Sequence, residues 1–386
     1  MASIPLEDIA NLGPLGSAAR AAGVLAVITT MLAVASGTRI RRINPTILIL
    51  GAFVEWAMLS FFWTLSPDKT FARIVTNLQF LLLVWVVWQF MDSAVRIRTA
   101  LNVFVTAVAA GSLLSLVVRQ PHFTGVNDVQ RFSIGGPNSF GVQVVAAMVM
   151  ALYLMQSSTS PRAKRLYAAF LIVGVLEVFS TASRTALIAM VLAGCALLVD
   201  QRTLRPQRVL GLLGVLTVAG MAIVMFVDQA QLDRITSIQE ATTEDGLDGR
   251  VTQWGLTWDT FSEHPITGVG AAAFRDQSSA ATGVSKVAHN SFLGVLADLG
   301  AVGLLLFCAV FVVAGWRILR LSPDLRRLWT TLCMVWMIGA STLTWEQHKF
   351  TYLFVILLAA QTALVSEQTD PIPARRARAD PSPRAG

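Results

Sequence analysis

Residues 228–290 decide how the chain must be read. The interval opens DQAQLDRITSIQEATTEDGLDGR (228–250), runs through VTQWGLTWDTFSEHPITGVGAAAF (251–274) and closes on KVAHN (286–290). It is the only long polar interval in an otherwise apolar sequence, and apolar runs long enough to cross a bilayer flank it on both sides. Irregular backbone facing lipid would leave its N–H and C=O groups without partners, so this loop stands outside the hydrocarbon. It also carries Arg250, Arg275, Lys286, His264 and His289, many of the reactive side chains the chain possesses. The expectation is that the loop supplies half of an active site and the membrane helices supply the other half.

Working outward, 54% of the 386 residues are hydrophobic and only 14% are charged. Soluble domains average about 25% charged, so the fold class is an all-α polytopic membrane protein. A spanning helix needs about 20 apolar residues, and that criterion gives about eleven spans. They fall near 17–37, 46–65, 74–91, 99–118, 138–156, 166–182, 184–200, 209–227, 290–316, 328–344 and 349–366. Basic residues follow the odd-numbered spans: Arg39, Arg41 and Arg42; Arg96 and Arg98; Arg162, Lys164 and Arg165; Arg202, Arg205 and Arg208; Arg317, Arg320, Arg326 and Arg327. With Arg375, Arg376, Arg378 and Arg384 of the tail, all lie on one side under a single alternating assignment, which the positive-inside rule makes cytoplasmic. The domain organisation is then one transmembrane domain, 1–366, containing the 228–290 extracytoplasmic loop. A disordered basic cytoplasmic tail, 367–386, follows it. The net charge of +7 follows this topology, so nucleic acid is not required as a partner. Cys195, Cys308 and Cys333 fall inside apolar runs, which excludes a disulfide framework and a zinc spacing. Residues 1–14 hold Glu7 and Asp8 and no basic segment, so no cleavable signal peptide is expected; the acidic pair reads as a cap for the first helix.

Several residues could carry chemistry. Arg184, in FSTASRTAL (179–187), falls where two spans meet with almost no turn. Such an arginine can snorkel to lipid headgroups; fixed at a sharp break, its guanidinium could instead grip a phosphate bidentately. In RFSIGGPNSFG (131–141), Gly135 and Gly136 permit a tight turn and Asn138 or Ser139 could cap the next helix, with Arg131 just before it. Within the loop, Asp248 reads as an N-cap and Pro265 as a stop. Between them Arg250, Trp254, Thr257/Trp258 and Phe261 recur at helical spacing. That face suits a helix lying at headgroup depth as well as one that grips a lipid-linked substrate. His289 precedes Asn290 and a helix; it could be a hydrogen-bonded cap, or a group that exchanges protons near neutrality. His264 reads as a helix terminator, and His122 has no evident partner. Glu346, His348 and Lys349 share another outer turn and could line the same cavity. Glu55 and Glu177 fall inside spans, where carboxylates are costly, and they keep a transporter in view. Asp298 falls in the helix after His289.

Taken together, WAMLSFFWTLSPD (56–68), RFSIGGPNSFG (131–141), FSTASRTAL (179–187), GRVTQWGLTWDTFSEHPITGVGAAAF (249–274) and VAHNSFLGVLADLGAVGLL (287–305) resemble, in order, the O-antigen ligase and polymerase superfamily of bacterial membrane glycosyltransferases. The resemblance implies a C-type glycosyltransferase-like helical fold of 11–12 transmembrane helices; against the count of about eleven, the long 290–316 span has room for a hidden interfacial helix. It implies a multi-pass protein of the bacterial plasma (inner) membrane, its active site on the extracytoplasmic face and its C-terminus cytoplasmic. Its partners would be a polyprenyl-diphosphate-linked glycan donor, undecaprenyl diphosphate among the carriers, a saccharide or lipid acceptor, and membrane lipid. The family's diphosphate-binding arginines match Arg184 and Arg250, with Arg131 as a third, and its catalytic loop histidine matches His289. Trp254, Trp258, Asn290, Glu346 and His348 are candidate acceptor-site residues. No metal and no cofactor are expected. The activity implied is a metal-independent, inverting glycan transfer in polysaccharide biosynthesis of the cell envelope. A transporter or flippase is the alternative, and a scaffold of an envelope-synthesis complex the third reading.

Overall fold

In the computed structural model the described residues are 18–37, 40–118, 121–123, 130–133, 135–199, 247–283 and 286–369. The span expected at 209–227, the loop's first part and the tail beyond 369 lie outside them. The described helices are α1 Ala18–Ala35, α2 Pro45–Leu59, α3 Pro67–Phe90, α4 Ala94–Val118, α5 Pro137–Ser157, α6 Pro161–Ser180 and α7 Arg184–Val199, then α8 Leu247–Glu263, α9 Phe274–Thr282, α10 Ser291–Gly315, α11 Pro323–Thr342 and α12 Lys349–Thr369. Between α4 and α5, β1 Pro121–Phe123 pairs with β2 Gln130–Phe132 as a small antiparallel hairpin. Ten of the eleven expected spans thus coincide with a described helix. Five segments are long and apolar enough to cross a membrane: Pro45–Phe62, Pro67–Phe90, Ala94–Val118, Pro137–Ser157 and Ser291–Arg320. The chain is an all-α polytopic membrane protein.

Proline at the first helical position starts five of these helices, where its missing N–H costs nothing and its fixed φ suits the helix. Among the five long apolar segments α5 is the most buried, packed by α4, α6, α7 and α11; α10 packs on α2, α8 and α12. Gly174 lets α6 approach Met148 of α5, and Gly141 brings the start of α5 against Thr181 and Ala186.

The two ends of the bundle differ in chemistry. At one end Arg41 lies over the Trp88 ring at 3.7 Å and donates to the Met91 carbonyl at 2.8 Å, while Arg98 donates to the Ser157 carbonyl at 3.0 Å. Three of the basic turns expected on one side, at 39–42, 91–98 and 157–165, therefore lie at one end. The opposite end holds the loop helices α8 and α9 and the turns at 60–66, 181–183 and 343–348.

Helix α10 is not continuous. Gly300 takes φ 64° and ψ −167°, breaking it into 291–299 and 301–315. The break lets the Ile266 carbonyl come within 2.3 Å of where a Gly300 Cβ would stand. The length of the 290–316 run therefore contains two helical pieces.

Candidate active site

The loop is held into the bundle by residues 264–274. Val269 and Gly270 donate backbone N–H groups to the Ala297 and Asp298 carbonyls at 3.1 and 2.8 Å, and Ala301 donates to the Pro265 carbonyl at 2.9 Å. On the other side Leu65 donates to the Val269 carbonyl at 3.0 Å, Thr70 to Ala271 at 2.8 Å and Trp63 to Thr267 at 3.3 Å. The carboxylate of Asp298 accepts from the N–H groups of Ala272 (2.9 Å) and Phe274 (3.1 Å). This buried strap satisfies its polar groups internally, and it requires glycine where the backbones touch. A Cβ on Gly270, at φ 108°, would meet Thr64 at 2.2 Å. Asp276 of α9 adds an exposed ion pair with Lys69 and a hydrogen bond from Ser66, and those two bonds hold its carboxyl below the usual range.

Helix α8, fixed by the strap, carries Arg250. Four residues on, the Trp254 indole donates to the Ala288 carbonyl at 2.9 Å, so the face bearing Arg250 lies against the segment that ends in His289. His289 is exposed and adopts φ 47°, a left-handed conformation that a non-glycine residue holds at a cost of about 1–3 kcal/mol. Asn290 follows as the N-cap of α10, its Oδ1 accepting from Phe292 (3.0 Å) and Leu293 (3.2 Å).

Arg184 starts α7. The break before it is sharp, as expected: Ala182 takes φ 46°, and the Ser183 hydroxyl accepts from Ala186 N–H at 3.3 Å, capping the helix. Burial first, and the nearby charge of Arg184 second, push the Arg250 guanidinium below its usual value. Two guanidinium groups thus share one half-buried region, a site whose electrostatics ask for an anion.

Other expectations divide. Helix α5 begins at Pro137 behind Gly136, so Asn138 and Ser139 lie inside its first turn and do not cap it; the Ser139 hydroxyl accepts instead from the Trp345 indole at 3.4 Å. The backbone of Arg131 sits in β2, two residues before buried Ser133. Asp248 is inside α8, which begins at Leu247, while α8 ends at Glu263, just ahead of Pro265. The expected single face of α8 splits: Thr257 is buried and Trp258 is 58% exposed, its ring tilted against that of Phe261 at 5.4 Å. Trp258 therefore points away from the Thr257 side. The Nδ1 atom of His348 accepts from Phe350 N–H at 3.2 Å, a capping role at the start of α12. Glu55 is exposed on α2, and Glu177 is fully buried, near Ser115 of α4.

The turn bearing Glu346 joins the same end. The Ser291 hydroxyl donates to the Leu343 carbonyl at 2.8 Å and accepts from Trp345 (2.7 Å) and Glu346 (3.3 Å) N–H, tying that turn to the first residue of α10. Behind it lies a cleft of about 300 Å³ lined by Arg73, Asn77, Asp298, Glu346 and apolar side chains. The sequence marked Glu346 and Asp298 separately; Arg73 and Asn77 carried no signal, because each reads as one polar residue within an apolar span.

The family model described as O-antigen ligase matches residues 168–308, from the middle of α6 to the middle of α10. Arg184, Arg250 and His289 fall inside the match. No curated protein matches the chain. The match covers a little over a third of the chain, and over that stretch the chain is similar to the O-antigen ligase family.

Proposed function

We propose that the chain is a metal-independent, inverting glycosyltransferase. It moves a glycan from a polyprenyl diphosphate to a sugar or lipid acceptor at the outer leaflet of a bacterial inner membrane. The observation that carries this reading is the meeting of Arg184 and Arg250 beside the helix pinned to the His289 segment. Two cations held in a partly dry site favour a dianionic leaving group more than they would in water. The positive-inside rule puts that end outside, with the basic turns and C-terminus in the cytoplasm.

The chemistry then needs few parts. The lipid tail lies among the helices, and Arg184 and Arg250, with Arg131 as a third cation, hold the diphosphate. An acceptor hydroxyl oxygen forms its bond to the anomeric carbon as the bond from that carbon to the phosphate oxygen breaks. The diphosphate leaves with the electron pair, steadied by the arginines, and His289 takes the hydroxyl proton. A positioned base of this kind contributes roughly 10²–10⁴-fold in rate. One in-line displacement inverts the anomeric centre. Trp254, Trp258, Asn290, Glu346 and His348 stand as acceptor-side candidates. Of these, Trp254, Asn290 and His348 have a polar atom engaged in holding the loop or a helix start.

The test is transfer by purified His289→Ala and Arg250→Ala, each expected to abolish it while the protein stays folded in detergent. Full activity in His289→Ala removes the base; full activity in Arg250→Ala removes the diphosphate site. The flippase reading keeps one specific support, the buried Glu177 carboxylate. It predicts flux of lipid-linked glycan across liposomes with no new glycosidic bond.

A further inference from the structure

The cleft behind the Glu346 turn differs in chemistry from the arginine pair. Its walls come from α2 (Phe53), α3 (Arg73, Asn77), the strap (Ala271), α10 (Val295, Asp298, Leu299) and the turn (Glu346, Gln347). One arginine here faces two carboxylates, so the cleft has no surplus of positive charge and is a poor place for a diphosphate. Asp298 is already spent on the Ala272 and Phe274 N–H groups. Glu346 is engaged only in part: the Ser291 hydroxyl and its own backbone N–H lie against the carboxyl, while Oε2 is closed off from solvent and has no hydrogen-bond partner among the described residues. A buried carboxylate oxygen left bare costs free energy unless something donates to it.

The position of this oxygen suggests the donor. A Cβ on Gly294 would lie 3.7 Å from Glu346 Oε1. Gly294 lies in the first turn of α10, whose N-cap Asn290 directly follows His289, so the cleft and the imidazole adjoin the same helix start. We propose that this cleft is the acceptor subsite: a neutral saccharide lies along the first turn of α10, one hydroxyl at His289 and another in the cleft, donating to Glu346 and accepting from Arg73 or Asn77. Paired donors and acceptors of this sort read a hydroxyl, which is both. The assignment rests on the glycosyltransferase reading, and adds to it the half of the site that the arginines leave open.

Two chemical labels test the two halves separately on the purified full chain. Burial lifts the Glu346 carboxyl to about 7, with Arg73 opposing that rise and Asp298 adding to it, while the Tyr352 hydroxyl bonds to the Glu346 backbone carbonyl. A protonated carboxyl in an apolar setting reacts with dicyclohexylcarbodiimide, so Glu346 is expected to be labelled near neutral pH and Glu346→Gln to lack that adduct. Glucose, galactose or N-acetylglucosamine at high concentration should slow labelling of Glu346, and inorganic diphosphate should not. Phenylglyoxal modification of Arg184 and Arg250 should show the reverse pattern. Protection of Glu346 by diphosphate, or by no sugar, overturns the subsite; failure of diphosphate to protect the two arginines overturns the donor reading instead. With donor lipid taken from cells lacking the protein, Glu346→Gln should raise the acceptor KM roughly tenfold, about the loss of one hydrogen bond. The donor KM should stay unchanged and Glu346→Asp should recover part of the loss. An equal rise in both KM values would reduce Glu346 to a structural role.

Discussion

Glu346 is a carboxyl that the folded chain prefers to keep protonated. Unfolded, it would lose its proton near 4.5; folded, burial holds the proton to about 7. The stability this group contributes is therefore fully present below about pH 4.5 and is lost as pH rises toward 7. Glu346→Gln keeps the shape and removes the titration. Its thermal midpoint in detergent should exceed that of the native protein at about pH 8, and the gain should shrink toward about pH 5. A gain that is the same at both pH values would mean that Glu346 is ionised throughout. Raised stability with weakened acceptor binding is the trade expected of a residue kept for function. At this scale the sequence marked Arg184 where two apolar spans meet, and Arg250 and His289 within the polar loop. Arg73 and Asn77 carried no such mark, because what gives them meaning is the Glu346 carboxylate, 273 and 269 residues further along the chain, a tertiary fact with no local pattern.

Among elements, the strap at 264–274 decides whether the loop is a lid or a fixed wall. It inserts between the 60–70 turn and the broken middle of α10, and its closest approach is at Gly270, where φ is 108° and a Cβ would overlap Thr64. Gly270→Ala adds strain of about 1–2 kcal/mol for the left-handed backbone and a clash on top of it. Transfer should fall by far more than with Gly283→Ala, a second positive-φ glycine whose Cβ meets open space. The pair is compared by initial rate and by proteolysis of the loop; equal effects would mean that the strap does not position the site. Gly339 makes the same argument for the neighbouring turn, since a Cβ there would stand 2.7 Å from the Trp345 ring. Gly339→Ala should displace the Trp345–Glu346 turn and raise the acceptor KM while phosphate protection of Arg250 persists. The helices themselves were readable from hydropathy, and α8 from its helical spacing and the stop at Pro265, whereas its expected cap Asp248 lies inside it. The position of the break at Gly300 was not, because nothing in the sequence sets Gly300 apart from Gly294, Gly303 and Gly315 of the same apolar run; only the Ile266 carbonyl pressing against it requires the kink. The hairpin at 121–132 was missed for a plainer reason, three-residue strands being too short for any alternation to register.

For the molecule as a whole, the two chemically distinct ends have to meet opposite compartments, and the hydrocarbon between them makes that a strict alternative. Either the arginine turns face the cytoplasm and α8 faces outward, or every span is inverted and a lipid-linked donor would be handled from inside. Positive charge near span ends is retained on the cytoplasmic side during insertion, so the first arrangement is expected. Ser262 on α8 and Ser322 before α11 are both exposed, at the loop end and the basic end respectively. In a background with Cys195, Cys308 and Cys333 replaced by alanine, Ser262→Cys should react with a membrane-impermeant maleimide on intact spheroplasts. Ser322→Cys should react only after permeabilisation. The opposite pattern would move the site to the cytoplasmic leaflet and remove an outward-facing transfer, yet leave the electrostatic coupling of Arg184 with Arg250 untouched, since that does not depend on which compartment the loop end faces. Sidedness and site geometry are thus separable: the first is written in the distribution of arginines along the chain, the second in the packing of α8 on α10 and the approach of Arg184 to Arg250, which no single stretch contains.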